Sequence, residues 1–276
     1  MKLGNVELEN NKTHIVAILN LTPDSFYDGG RFFCNGEIDT DKVLYAVGEM
    51  VRDGAAIIDI GGESTRHGFK PIVEEEELDR IIPAIRAIKQ NYDIPISVDT
   101  YKPDTARVVI EEKVDIINDI GFLSNNMLEI INDNNVGYIL MHNSSYCWNN
   151  SSRSKATISM DELNLQMNEK LVRLKEYGFG NDKVIIDPGL GFGKSNEDDV
   201  MILKNISKLH VHNYNILLGA SNKSVIDYVT PLDKNERLEG TLAITAHAFY
   251  NNISFVRVHD VKSNVKLLNM LEAMKG

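Results

Sequence analysis

The sequence predicts a (β/α)8 barrel on three observations. Eight short aliphatic runs each stop at a polar or glycine-rich turn, segments of helical periodicity lie between them, and no Pro/Gly/Ser-rich linker divides the 276 residues. Eight strand–helix pairs in a chain of this length match a closed barrel better than a doubly wound sheet, which usually has fewer strands and one glycine-rich crossover. The chain therefore reads as one domain over residues 1–276. In such a barrel the residues that follow the strands collect at the C-terminal rim, where active sites are built, so positions distant in sequence become neighbours.

The elements follow in order. HIVAILN ends at Asn20 and enters LTPDSFYDGG, in which Pro23, Gly29 and Gly30 form turns; a helix over 39–52 follows. AAIIDIGGEST reaches Thr65 and precedes a helix over 74–90, where Leu78, Ile81, Ile82, Ile85 and Ile88 recur at three- and four-residue steps. That spacing gives one buried stripe beneath a charged face, and the acidic start at Glu74 to Glu77 suits the positive end of a helix dipole. IPISVDT closes at Asp99 before a helix over 103–111, and VDIIND at Asn118 before one over 124–132. YILMH stops at His142, ahead of a polar loop over 143–155 and a helix over 160–177. The last three runs are VIIDPGLGFGK from Asp187, NILLGASNKS at Lys223 and ISFVRVHD at Arg257 and His259, with helices over 196–207, 235–251 and 261–275.

Composition narrows the function. A hydrophobic content of 43% can fill a sizeable core. The formal charge of −11 is spread without a long block, which argues against nonspecific contact with nucleic acid or anionic lipid and requires that any anionic ligand meet local positive charge. No stretch approaches the roughly 18 apolar residues of a membrane span, and the first residues lack a signal-peptide core, so a cytoplasmic location is expected. Cys34 and Cys147 have no CxxC spacing and read as free thiols. The Asn-x-Ser/Thr triplets at Asn143 and Asn252 are expected to be chance. His14, His142, His210, His212 and His247 suggest no zinc site, and neither GxSxG, HExxH nor a Cys–His pair is present to support nucleophilic or zinc hydrolase chemistry.

The candidate residues are the strand-end polar groups. Asn20 heads a loop carrying Asp24, Ser25 and Asp28; an ordinary turn fits it, and so does a carbonyl ligand to magnesium on a pyrophosphate beneath a closing loop. Thr65 and Arg66 read as a glycine-rich turn with a solvated Arg, or as a pair holding an anion or aromatic acid at the pocket mouth. Any one of Asp99, Asn118 and Asp187 is ordinarily a helix N-cap. Three on strands converging at one rim suit a polar heterocycle whose donors and acceptors they can match. DPGLGFGKS fails the Walker pattern, because Pro188 stands where its first Gly belongs; it reads as a turn that lets Asp187 and Phe192 face the pocket, with Phe192 an aromatic wall. Lys223, with Ser224 beside it, sits at a strand-to-helix junction. Strand alternation sends Arg257 and His259 to the same side, a cationic pair suited to a diphosphate, joined by Lys223 and Arg66 as local positive charge.

Taken in order, LNLTPDSFYDGG, DIGGESTR, SVDTYK, IINDI, DPGLGFGK, SNKS, RLEG (Arg237 to Gly240) and RVHDV make the chain similar to the dihydropteroate synthases over nearly its whole length. The resemblance implies a TIM barrel and a transferase of folate biosynthesis, a family that is the target of sulfonamides. Its reaction joins 6-hydroxymethyl-7,8-dihydropterin diphosphate to p-aminobenzoate, giving 7,8-dihydropteroate and pyrophosphate. It further implies Mg2+ as cofactor, small-molecule substrates with neither nucleic acid nor membrane as partner, and a homodimer formed away from the loops. By the same resemblance Asp99, Asn118, Asp187 and Lys223 hold the pterin, Thr65 lies at its diphosphate side, Arg257 and His259 grip the leaving group, and Asn20 faces the magnesium. Lys223, Arg257 and Asp99 are the catalytic set it implies, with Arg66, Phe192 and Ser224 lining the substrate site. Three positions depart from the family pattern: Asn222 replaces the usual Arg, His67 the usual Pro and Tyr27 the common Ser. The first two bear on the aromatic acid. Two other readings are a pterin-dependent methyltransferase, which needs no diphosphate site, and a barrel that binds pterin without catalysis.

Overall fold

The computed structural model describes residues 1–23, 30–64, 70–121, 123–132, 134–144, 157–219, 221–231 and 236–275. Two short antiparallel pairs stand outside the main sheet: β1 (Lys2–Leu3) with β2 (Val6–Glu7), and β4 (Phe33–Cys34) with β5 (Glu37–Ile38). The remaining strands are β3 (His14–Asn20), β6 (Ile57–Gly61), β7 (Ile96–Asp99), β8 (Ile116–Asp119), β9 (Gly137–Met141), β10 (Val184–Asp187), β11 (Asn215–Leu218) and β12 (Phe255–Val258). They run parallel in the order β10-β11-β12-β3-β6-β7-β8-β9 and close into a barrel. All eight are the aliphatic runs anticipated from sequence, although most stop before the motif that follows them: β6 ends at Gly61, β11 at Leu218.

Helices cover the barrel: α1 (Thr40–Arg52), α2 (Glu74–Asn91), α3 (Pro103–Glu111), α4 (Asn125–Asn132), α5 (Met160–Glu176), α6 (Asn196–Lys204), α7 (Ser224–Val229), α8 (Leu238–Tyr250) and α9 (Val261–Lys275). Their starts are chemically marked. Asp39 accepts from Lys42 N at 3.2 Å before α1, and Ser195 with Asp198 makes a reciprocal capping box before α6. In α2 Ile81, Ile85 and Ile88 of the predicted stripe are buried, with Ala84 beside them, while Leu78 and Ile82 are half-buried. The helix expected over 196–207 instead ends at Lys204 and continues as a 3-10 segment, Ile206–His212. The six-residue α7 was not anticipated; it is too short to show an apolar period.

Two apolar regions hold this arrangement. One lies between strands and helices, with Ile58, Ile60, Val98, Leu140 and Ile186 facing outward onto Ile81, Val109, Leu163 and Ile202. The other lies inside the barrel, where Val16, Ile57, Ile116, Ile139, Ile185, Leu217 and Phe255 meet Leu3 and Val6 of the β1/β2 pair, which plugs the end opposite the strand tips. Gly137 permits the plug, because a Cβ there would fall 2.7 Å from Leu3 Cγ.

Among the described residues no helix is long and apolar enough to cross a membrane.

Candidate active site

Register carries the candidate residues to one place. Asn20 pairs with Gly61, Gly61 with Asp99, and Asp99 with Asn118, so these four positions share a level and a face of the sheet at the strand tips. Asp187 ends β10 beside Met141, and Arg257 lies in β12 two residues above Phe255 of the inner core. Thr65 and Arg66 lie outside the described residues, as do His67 and Tyr27.

Arg257 is the hub. Its Nε donates to Asp59 Oδ2 at 2.5 Å and its Nη2 to Asp99 Oδ2 at 2.9 Å. Burial works against its charge, but Asp59 and Asp99 outweigh it and hold the guanidinium above its ordinary pKa. Arg257 is thus held between two acidic side chains, and His259 lies one residue past β12, its Nδ1 3.0 Å from Ser221 Oγ. Local charge compensation, which periodicity cannot show, decides the electrostatics here.

Burial, opposed by Arg257 and reinforced by Asp59, pushes the Asp99 carboxyl up to about 7. Its Oδ1 is buried with no hydrogen-bond partner, an arrangement costly for a protein alone and suited to a ligand donor. Asp187 is likewise raised by burial, while its Oδ1 accepts from Gly189 N at 2.7 Å. Lys223 Nζ stands 4.5 Å from the centroid of the half-buried Phe192 ring, and burial lowers it to about 8 against the pull of Asp187. Ser224 donates to Asn196 Oδ1 at 2.9 Å, which ties α7 to α6.

The glycine turn works as a socket. Gly189, Gly191 and Gly193 have φ of 66°, 79° and 66°, the left-handed region that glycine favours. Lys194, fully buried, fills the turn by donating to the carbonyls of Gly189, His142 and Phe192 at 2.9, 3.0 and 3.2 Å. The lysine that invites comparison with a phosphate loop is thus a scaffold, lowered to about 7 by burial.

Several contributors escaped the sequence reading. Asp59 sits within IIDIG, a charged residue inside an aliphatic strand, and that interruption was the available signal. Lys102 lies between Glu63 and Glu77 Oε2, the latter at 3.1 Å, and Arg80 Nη1 donates to Gly62 O at 2.7 Å. Together they fasten the chain that leads into residues 65–69. Arg237 of RLEG pairs with Asp227 and donates to Asn222 O at 2.5 Å, while Gly240 lets α8 approach α7, since a Cβ there would fall 2.4 Å from Ile226 Cγ2. Asn222 has φ 57°, a left-handed conformation that Asn tolerates well. The histidines set aside are structural where described: His142 is buried against Gln166 and driven down to about 3 by burial, and His210 and His247 bond backbone carbonyls.

Comparison with known proteins bears on the fold and the family. The family model described as "Pterin binding enzyme" matches residues 16–259. A dihydropteroate synthase of Clostridium beijerinckii is 40% identical, covering 99% of this chain and 98% of its own. The Yersinia pestis dihydropteroate synthase solved with a sulfonamide drug superimposes with a TM-score of 0.90 at 31% identity, over 100% of this chain and 98% of that one. The Xanthomonas albilineans dihydropteroate synthase solved with 4-aminobenzoic acid gives 0.84 at 30%, over 96% and 94%. The chain belongs to the pterin-binding enzyme family, among the dihydropteroate synthases.

Proposed function

We infer that this chain condenses 6-hydroxymethyl-7,8-dihydropterin diphosphate with p-aminobenzoate, releasing pyrophosphate and giving 7,8-dihydropteroate. The observation that carries this reading is the unpartnered, buried Asp99 Oδ1 on a rim shared with Asn118, Asp187, Lys223 and Arg257. A ring that presents several N–H donors satisfies such a rim, and a rim built on hydrogen bonds rejects analogues that lack them.

The reaction is a substitution at a methylene whose developing positive charge spreads into an electron-rich dihydropterin. Stabilising the departing diphosphate therefore matters more than activating the aniline, which is neutral at pH 7. Asp99, Asn118, Asp187 and Lys223 bind and orient the pterin, with Asp99 and Asp187 favouring the cationic character electrostatically. Phe192 and Ser224 complete that wall. We assign the diphosphate to Arg257 and His259, and Thr65 and Arg66, outside the described residues, keep the anion-holding role that the family resemblance implies. A proton acceptor is needed only after C–N bond formation, and water or pyrophosphate serves.

Magnesium fits the residues present. Asn20 is half-buried beside Gly61, a Cβ on which would stand 3.6 Å from Asn20 Oδ1, and one neutral oxygen suits an ion that brings its own waters and takes substrate oxygens. Among the described residues no group of three or more His, Cys, Asp or Glu could hold a metal. When bound, the ion supplies charge neutralisation on the diphosphate oxygens. A homodimer in the cytoplasm, free of nucleic acid and membrane partners, completes the proposal. The two alternatives, methyl transfer and binding without catalysis, are separated from it by one assay. Mixing both substrates with Mg2+ is expected to release pyrophosphate in step with dihydropteroate. No release from the folded protein would reject the reading.

A further inference from the structure

Asp59 is fully buried and lies two residues above the apolar Ile57 in β6, where another aliphatic side chain would continue the inner core. A buried ion pair is weak evidence for stability, so its presence calls for another account. Its Oδ2 takes the Arg257 Nε proton at 2.5 Å, and Asn118 Nδ2 lies 3.4 and 3.3 Å from its Oδ1 and Oδ2. An ionised carboxylate only accepts. Asn118 must therefore turn its NH2 group to Asp59, and its carbonyl oxygen is left for the pocket.

We propose that Asp59 is a positioning residue that sets the hydrogen-bond polarity of Asn118, presenting it to the pterin as an acceptor, while it fixes the Arg257 guanidinium so that Nη1 stays outside both ion pairs. The proposal rests on the reading of Asn118 as a pterin ligand. It deepens that reading, because one carboxylate beneath the rim couples the group that reads the ring to the group that faces the diphosphate. The same residue types arranged without Asp59 would leave the amide free to present either end.

In Asp59→Asn the new carboxamide oxygen accepts from Arg257 Nε, so its NH2 faces Asn118, which answers with its own oxygen and turns a donor to the pocket. A donor then opposes a ring donor, and affinity for 6-hydroxymethylpterin, measured by calorimetry, is expected to fall at least about tenfold, since both groups lose their partners. In the double variant Asp59→Asn with Asn118→Asp, the carboxylate at 118 accepts from the amide at 59 and again shows an acceptor to the pocket. Most of the lost affinity is expected to return. A merely structural role would leave the double variant no better than the single one, and that result overturns the proposal, as does parent-like binding by Asp59→Asn. If Asp59→Asn alone does not fold, the double variant, in which each donor again meets an acceptor, carries the test by binding more tightly than Asn118→Ala. Pterin affinity lost in Asn118→Ala but intact in Asp59→Asn sinks the positioning role alone; affinity unchanged in Asn118→Ala sinks the ligand reading beneath it.

Discussion

The inside of the barrel has two halves made by the same strands, and they have opposite chemistry. In the lower half Val16, Ile57, Ile116, Ile139, Ile185, Leu217 and Phe255 close on Leu3 and Val6. Two residues further along, β6, β8, β10 and β12 carry Asp59, Asn118, Asp187 and Arg257, while β3 and β9 stay apolar with Ile18 and Met141. One strand repeat thus separates a core from a site. The lower half is satisfied by its own contacts, whereas the upper half leaves Asp99 Oδ1 without a partner. β7 departs from the rule, since Ser97 below Asp99 is polar and its Oγ is also buried without a partner. Apolar packing can be completed by the chain alone; a polar rim facing one way is completed by a ligand.

Substitutions in the lower half should change stability and spare chemistry. Phe255→Ala removes a fully buried ring and is expected to cost about 3–5 kcal/mol in denaturant unfolding. Where the variant is still folded, its KM for the dihydropterin diphosphate should match the parent; a raised KM would show that the halves are not separable. The upper half should respond in the opposite sense. Arg257→Ala is expected to remove on the order of 3 kcal/mol of transition-state stabilisation, roughly a hundredfold in kcat/KM measured by pyrophosphate release. Unchanged turnover would remove Arg257 from the reaction.

A smaller effect probes the floor. Gly137→Ala places a methyl 2.7 Å from Leu3 Cγ and should cost about 1–3 kcal/mol by overpacking, with part of the loss recovered in combination with Leu3→Ala. Additive losses in the double variant would mean that the plug does not bear on β9.

The same two halves explain what the sequence disclosed. Strand runs and the main helical periods are repeated patterns, so the barrel was legible, as were Asp99, Asn118 and Asp187, which end their aliphatic runs in polar side chains. Asp59 was not singled out, because one charge inside IIDIG breaks a pattern without saying what it meets; its partners Arg257 and Asn118 are 198 and 59 residues away. Lys194 was hidden for the opposite reason. Its motif reads as a turn that fails the Walker pattern, and its actual partners are three backbone carbonyls that no side-chain pattern encodes. The short α7 and the plug strands are too brief to carry a period.

The smallest effect is electrostatic and separates the halves by pH. Asp99, raised from 3.8 to about 7 first by burial, keeps its proton in the folded chain where the unfolded chain has lost it. Its contribution to stability is therefore full below about pH 4 and lost as pH rises through about 7. Lys223, lowered from 10.5 to about 8 by burial, works in the other window: the unfolded chain holds its proton longer, so stability climbs between about pH 8 and 10.5. Asp99→Asn should reduce the fall between about pH 4 and 7, leaving the share due to Asp187, which is also raised, and should preserve the alkaline rise. Ile116→Val, in the lower half, adds or removes no titrating group and should shift the whole curve of unfolding free energy without changing its shape. A parent-like acid slope in Asp99→Asn would mean that the carboxyl at the rim is already ionised well below neutrality, and the burial that distinguishes the upper half would then be compensated more fully than its unpartnered oxygen implies.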